Sequence, residues 1–154
     1  MSYSEKQRDL LEMMATNEEA IARLYEAYST KFTNYREFWS QLANEELQHS
    51  SWISNLNAKV REGGLYINEG RFKREAIQTF SDYLNREIIK AQTQDIPLIT
   101  ALSTALYIEQ SIIEHQYFEV FKTDSVELKH LLMELSQATD DHLNRVKRVW
   151  SENR

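Results

Sequence analysis

The segment A-N-E-E-L-Q-H at residues 43–49 places two polar side chains on what is otherwise the apolar face of a helix. Glu46 and His49 are three residues apart, about one helical turn, so their side chains lie on the same side. The apolar residues of this face recur every three or four positions, as in a helix that faces a core; they are Phe38, Leu42, Ile53, Leu56 and Val60. Glu46 and His49 therefore occupy positions where a buried helix normally carries apolar side chains.

The composition predicts a single all-α domain over residues 1–154. A chain of 154 residues can build one substantial core. It contains 3 glycines and 1 proline, and it is rich in strong helix formers. The net charge of -6 argues against a nucleic-acid partner.

The absence of cysteine restricts the chemistry that the chain can carry. Disulfides, thiolate zinc sites and cysteine-bound iron centres are excluded, so any metal must be held by oxygen and nitrogen. The N-terminal segment lacks an apolar signal core, and no run approaches the roughly 20 apolar residues of a membrane span. We therefore expect a cytoplasmic protein that does not bind membranes.

Capping patterns and apolar periodicity predict four long helices, with a shorter amphipathic helix between the second and the third. The long helices are expected at 4–29, at 34–60, from Asp95–Pro97 to 122 and at 124–150, and the shorter one at 72–91. Short links make two helical hairpins, and the long link between them contains all three glycines. A single long crossover predicts the ferritin-like topology of a four-helix bundle. The alternative is a five-helix bundle without a site.

Each predicted long helix carries polar residues in the middle of its apolar face. Besides Glu46 and His49, these are Glu18, Glu109, Thr139 and His142. A buried ionised carboxylate is costly unless it is paired or bound to a cation. A divalent metal would neutralise three carboxylates at one level, and Glu together with His suits iron, manganese or zinc. The pattern therefore predicts a metal site at mid-bundle.

The two hairpins repeat this pattern. Each offers a carboxylate on its first helix and a histidine on its second, as Glu18 with His49 and Glu109 with His142, at similar separations. This predicts a site of approximate twofold symmetry. Two alternatives remain open: the Glu-x-x-His pair of the second helix could be a surface pair or a metal-free carboxylate–imidazolium contact, and Glu19 is the rival to Glu18.

The segments that carry these residues resemble the ferritin-like domain of rubrerythrins over residues 5–150. They are E-E-A-I-A-R-L-Y (18–25), F-W-S-Q-L-A-N-E-E-L-Q-H (38–49), A-L-Y-I-E-Q-S-I-I-E-H-Q-Y-F (105–118) and T-D-D-H (139–142). In that family each hairpin supplies a Glu from its first helix and a Glu-x-x-His from its second, and the set holds two irons. The resemblance implies that the metal ligands are Glu18, Glu46, His49, Glu109 and His142. It also implies that Tyr25 and Tyr117 lie beside the carboxylates.

Two departures from the family pattern change what the resemblance implies. Thr139 stands where a bridging carboxylate is expected, and a neutral hydroxyl is a poor iron ligand. The second metal position is therefore expected to be weak or empty. Rubrerythrins also carry a cysteine-bound rubredoxin iron that passes electrons, and this chain has no cysteine. Electrons for redox chemistry would have to come from another protein.

Two functions from different classes fit these residues. The first is an iron-binding protein that resembles rubrerythrins, with either a di-iron or a lopsided mononuclear site; manganese and zinc are alternatives to iron. The resemblance implies peroxide reduction or oxidation of ferrous iron, and a homodimer. The second is a binding or structural bundle that has lost the metal site and has no catalysis.

Overall fold

Five α-helices account for most of the described chain. The computed structural model describes residues 3–61, 66–67, 74–111, 121–122 and 126–154. The helices are α1 (Tyr3–Lys31), α2 (Arg36–Arg61), α3 (Arg74–Thr93), α4 (Leu98–Glu109) and α5 (Val126–Asn153). Two short strands, β1 (Tyr66–Ile67) and β2 (Phe121–Lys122), pair antiparallel. Among the described helices, none combines the length and the apolarity that a membrane crossing requires.

Helices α1 and α2 form an antiparallel hairpin. A 3₁₀ turn at Thr33–Tyr35 joins them, so the chain reverses within a few residues. Near the turn the hydroxyls of Ser29 and Ser40 are 2.8 Å apart, and farther from it Ser50 donates to the carbonyl of Ala15. The predicted helices at 4–29 and 34–60 are thus confirmed to within about two residues, the usual uncertainty of helix ends.

Helix α3 is the predicted shorter helix, and it packs along α1. Asn17 donates to the carbonyl of Ile77 near one end, and Lys31 donates to the carbonyl of Gln94 near the other. The two helices therefore run parallel. The buried face of α3 consists of Ile77, Phe80, Leu84, Ile88 and Ala91, and these side chains recur every three or four residues.

Helix α4 is shorter than the sequence predicts. Its start after Pro97 is as expected, because proline has no N–H that would need a partner there. The prediction that the helix continues to residue 122 is wrong. The backbone N–H of Ser111 binds the carbonyl of Ile108, a tightened last turn, and Phe121–Lys122 form β2. At residues 121–122, pairing with β1 outweighs the local helix propensity.

Helix α5 closes the bundle against α4 and the α1–α2 turn. It packs on α4, where Trp150 Nε1 donates to Ser103 Oγ at 3.2 Å. Near its end, Asn153 Oδ1 accepts a hydrogen bond from the Tyr35 hydroxyl. The helix was expected at 124–150; Asp124 lies outside the described residues, and the helix ends three residues later than predicted.

One apolar core is shared by all five helices. Its centre is aromatic: the Trp39 ring lies 5.5 Å from that of Tyr25 and 4.8 Å from that of Tyr28. All three side chains are buried, so Trp39 is a packing residue of the core. Burying a large apolar side chain contributes about 1.5–3 kcal/mol. The core can therefore offset the cost of polar groups buried beside it.

Candidate metal centre

Helix α2 supplies Glu46 and His49, the two polar residues at the centre of a buried cluster. The other members of this cluster are Glu18, Glu109 and His142. Glu46 is fully buried and His49 is 2% exposed, so the pair is not a surface pair. Their spacing of one turn brings His49 Nδ1 to 3.4 Å from Glu46 Oε2. The apolar neighbours Leu42, Ile53 and Leu56 are buried on the same face.

Helix α1 adds Glu18 to this pair. Its Oε2 lies 4.0 Å from His49 Nδ1, and the side chain is 1% exposed. Glu19 is exposed, and one of its oxygens lies 3.3 Å from Ser50 Oγ. Of the two rival carboxylates, Glu18 is thus the one that reaches the cluster.

Helix α5 adds His142 from the opposite side. Its Nδ1 lies 2.9 Å from Glu46 Oε1 and 3.5 Å from Glu109 Oε1. Its ring stacks on that of His49 with the centroids 5.0 Å apart. The two histidines, which belong to different hairpins, therefore meet around the carboxylate of Glu46.

Helix α4 ends at the third inward carboxylate, Glu109. The Tyr25 hydroxyl donates a hydrogen bond to Glu109 Oε1 at 2.9 Å, as the resemblance implies for that tyrosine. Among the described residues, Glu109 Oε2 has no hydrogen-bond partner although the side chain is fully buried. Tyr117, the other tyrosine expected beside the carboxylates, lies outside the described residues.

Thr139 occupies the inward position one turn before His142. It is buried, and its hydroxyl donates to the carbonyl of Leu135 in its own helix at 3.0 Å. Asp140 and Asp141 are exposed, so neither replaces the missing carboxylate. The cluster consequently has three inward carboxylates among the described residues. Helices α1 and α2 provide two of them, and α4 and α5 provide one.

Burial and close contacts shift the protonation of the cluster. Burial raises the pKa of the Glu46 carboxyl, but contacts with Glu18, His142 and His49 outweigh it and hold that pKa well below its usual range. Burial and the charge of Glu46 raise the pKa of Glu109. Burial alone would lower the pKa of His142, but contacts with Glu109 and Glu46 raise it to about 10. Without a metal, an imidazolium therefore balances the charge of Glu46.

Three of the predicted ligands lie close enough to share one ion. Glu46, His49 and His142 each offer an oxygen or nitrogen within 4.8 Å of those of the other two. Two histidines and a carboxylate are a donor set that suits iron, manganese or zinc. Glu18 and Glu109 border this group without belonging to it. The donors and the buried oxygen of Glu109 thus fit a divalent cation.

No family model, curated protein or solved structure matches the chain. The likeness to rubrerythrins accordingly stays a prediction from the sequence, and the chemistry of the centre has to be argued from its own residues.

A second group of charged residues flanks His142 on its outer side, and sequence reasoning did not assign it to the centre. Glu45 Oε2 lies 3.4 Å from His142 Nε2 and accepts a hydrogen bond from Arg145 at 2.6 Å. Glu45 is the sequence neighbour of Glu46 on α2, and Arg145 lies on α5, four residues after Asp141. Because 100 residues separate the two, no local pattern could have paired them.

The remaining histidine within the described residues, His130, lies on the surface. Its side chain is 75% exposed, and its Nε2 lies 3.1 Å from a carboxylate oxygen of Glu134. Its position off the inward apolar face of α5 agrees with this exposure. His115 lies outside the described residues.

Proposed function

We propose that this chain binds a divalent metal ion at Glu46, His49 and His142. The observation that carries the proposal is the convergence of their three donor atoms within 4.8 Å in a site that is almost fully buried. A single buried histidine is common in metal-free cores, whereas side chains that project inward from facing helices and converge are how helical bundles build metal sites. Glu18 and Glu109 supply further oxygens at the border of the site.

The charge of the cluster supports a cation. Three glutamates, Glu18, Glu46 and Glu109, are at most 1% exposed. Isolated carboxylates at such depth are strongly disfavoured unless a positive charge compensates them. A protonated His142 compensates one of them, and a divalent ion would compensate two. Metal binding is therefore expected to stabilise the fold as well as the site.

We assign the bundle to the ferritin-like type, and its metal is iron in this proposal. The support is the distribution of the candidate ligands over the helices: α1 and α4 each provide a Glu, and α2 and α5 each provide a His. Helix α3 lies in the long connection between the two hairpins, as a crossover would. This arrangement agrees with the likeness of the sequence to rubrerythrins.

Bound iron would supply one-electron redox chemistry toward peroxide or oxygen. The protein's part is to hold and shield the site. Tyr25 fixes one oxygen of Glu109, and the stacked rings of His49 and His142 limit the movement of both donors. The burial of all these side chains excludes bulk water. With no cysteine in the chain, the electrons come from an external donor protein in this scheme. The proposal also includes a homodimer, which rests on the likeness of the sequence to rubrerythrins.

The absence of a carboxylate at position 139 leads us to propose one metal ion per chain. Thr139 uses its hydroxyl proton within its own helix, and its oxygen is neutral. A second ion would have to rely on Glu109 and His142, and His142 already belongs to the first group. The site is therefore expected to be mononuclear, with at most a weak second position.

A metal-free, non-catalytic bundle is the second candidate, and one contact favours it. The 2.9 Å contact between His142 Nδ1 and Glu46 Oε1 is a good charge-assisted hydrogen bond without any ion. With the pKa of His142 raised to about 10, this pair would persist at neutral pH. In that case the cluster is a buried ion pair that stabilises a structural or binding protein.

Metal analysis separates the two candidates. The protein is purified without chelator from iron-supplemented cells, its metal content is measured, and the stripped protein is titrated with Fe²⁺, Mn²⁺ and Zn²⁺. We expect about one tightly bound ion per chain. Glu46→Gln and His142→Gln should lose it, whereas the exposed control variants Glu26→Gln and His130→Gln should retain it.

The redox part has its own test. Iron-loaded wild type should consume hydrogen peroxide in the presence of a small-molecule reductant, and Glu46→Gln should not. If wild type binds no ion but Glu46→Gln or His142→Gln lowers its stability, the metal-free candidate with its buried ion pair is correct. If it binds an ion but consumes no peroxide, metal binding stands without the redox function.

A further inference from the structure

The two ring nitrogens of His142 face different surroundings. Nδ1 points into the cluster, 2.9 Å from Glu46 Oε1 and 3.5 Å from Glu109 Oε1. Nε2 is buried and faces the outer side, where Glu45 Oε2 lies 3.4 Å away. A metal shared with Glu46 and His49 would therefore be reached from Nδ1, while Nε2 carries a proton.

The carboxylate of Glu45 is held in place by a residue from the other hairpin. Arg145 Nη2 donates to Glu45 Oε2 at 2.6 Å, and Arg145 Nε lies 3.0 Å from Asp141 Oδ2. Asp141 and Arg145 are four residues apart on α5, so they are neighbours on its surface. One oxygen, Glu45 Oε2, thus lies against both the guanidinium and the imidazole.

This placement matters because the state of one imidazole nitrogen is set by the partner of the other. A histidine that ligates a metal usually donates its second N–H to a carboxylate or a carbonyl, which fixes the tautomer and the ring orientation. A buried N–H without an acceptor costs free energy, so an acceptor fixed nearby stabilises the ring in that tautomer. Within the described residues, His142 Nε2 has no hydrogen bond of good geometry, and Glu45 is the charged acceptor in contact with it.

We infer that Glu45, held by Arg145, is a positioning residue for His142: it accepts a hydrogen bond from the Nε2–H and thereby presents Nδ1 to a metal shared with Glu46 and His49. The inference rests on the proposed metal-binding function. It adds to the proposed ligands a supporting ion pair, Glu45 on α2 with Arg145 on α5. Glu45 itself does not touch the ion in this arrangement.

The test compares the removal of Glu45 with the removal of Asp141. Both variants, Glu45→Ala and Asp141→Ala, delete a carboxylate that binds Arg145, but only Glu45 contacts His142. Zn²⁺ affinity is measured by competition with a chromophoric chelator. We expect Glu45→Ala to weaken Zn²⁺ binding roughly 10- to 100-fold. Asp141→Ala should stay close to wild type.

A spectroscopic measurement separates positioning from general stability. In the Zn²⁺-loaded wild type, the ¹⁵N ring shifts of His142 should report a protonated Nε2 and a metal-bound Nδ1. Glu45→Ala should lose the slow exchange of the Nε2 proton or show ligation through Nε2. Glu45→Gln, whose amide oxygen can still accept the proton, should restore part of the affinity, and it replaces Glu45→Ala if that variant does not fold.

The possible results separate a failure of the positioning role of Glu45 from a failure of the proposed metal-binding function. If wild type does not bind Zn²⁺, the metal site itself is wrong and the role of Glu45 falls with it. If wild type binds Zn²⁺ but Glu45→Ala and Asp141→Ala have equal affinity and unchanged His142 shifts, the metal site stands and the positioning role is overturned.

Discussion

His142 Nδ1 lies 2.9 Å from Glu46 Oε1, although 96 residues separate the two in the chain. The same nitrogen lies 3.5 Å from Glu109 Oε1. One imidazole therefore faces two buried carboxylates from two other helices. Among the described residues, it is the closest cationic partner of Glu46. The stability of the metal-free protein should therefore depend on the positive charge of His142.

Replacing His142 by leucine should destabilise the metal-free protein. The substitution leaves Glu46 and Glu109 buried without that counter-charge, and breaking a buried pair in this way costs about 3–5 kcal/mol. Urea unfolding followed by circular dichroism measures the change. The exposed control His130→Leu should shift the free energy of unfolding by less than about 0.5 kcal/mol. Equal unfolding free energies for the two variants would show that the contact is energetically neutral.

The stability of the metal-free protein should fall as pH rises from about 6.5 to about 10. Contacts with Glu109 and Glu46 raise the pKa of His142 from 6.5 to about 10 against the effect of burial, so between these values the folded state binds a proton that the unfolded state has released. The stabilisation is complete below pH 6.5 and is lost as pH passes the folded pKa. Unfolding midpoints across this range provide the measurement, and the slope should be smaller in His142→Leu. A flat wild-type profile would contradict the raised pKa.

Metal binding should release protons at neutral pH. His142 is protonated there, with a pKa near 10, and ligation through Nδ1 requires that proton to leave. Calorimetric titration with Zn²⁺ in buffers of different ionisation enthalpy should give about one proton per ion, and the affinity should rise with pH. A binding enthalpy that is independent of the buffer would mean that His142 is not a ligand.

A carboxylate at position 139 should create a second metal position. Thr139 is buried one turn from His142, where a glutamate would complete the Glu-x-x-His pattern on α5. Thr139→Glu should raise the measured stoichiometry from about one ion to about two per chain. The neutral variant Thr139→Gln has nearly the same volume and should remain at one. Equal stoichiometries would show that the missing charge does not limit the site.

The helix ends and inward faces could be predicted because they depend on local pattern. Apolar residues at intervals of three or four define a face whatever the helix packs against, and the residue that this pattern places on the face, Glu18, is the buried one. The same reasoning failed beyond Glu109. There α4 ends at Glu109, and residues 121–122 pair with residues 66–67 instead of continuing the helix; such long-range pairing leaves no periodic signal in either segment.

The sequence by itself determined a predominantly helical chain that turns Glu18, Glu46, His49, Glu109 and His142 inward, because helical periodicity fixes which way each side chain points. Only the tertiary structure decided which of them meet. Glu46 is nearer to His142 than to its own helix neighbour His49, and Glu45 reaches both Arg145 and the outer nitrogen of His142. These contacts depend on the rotation and depth of α5 against α2, which are set by the packing of the whole core rather than by either helix alone.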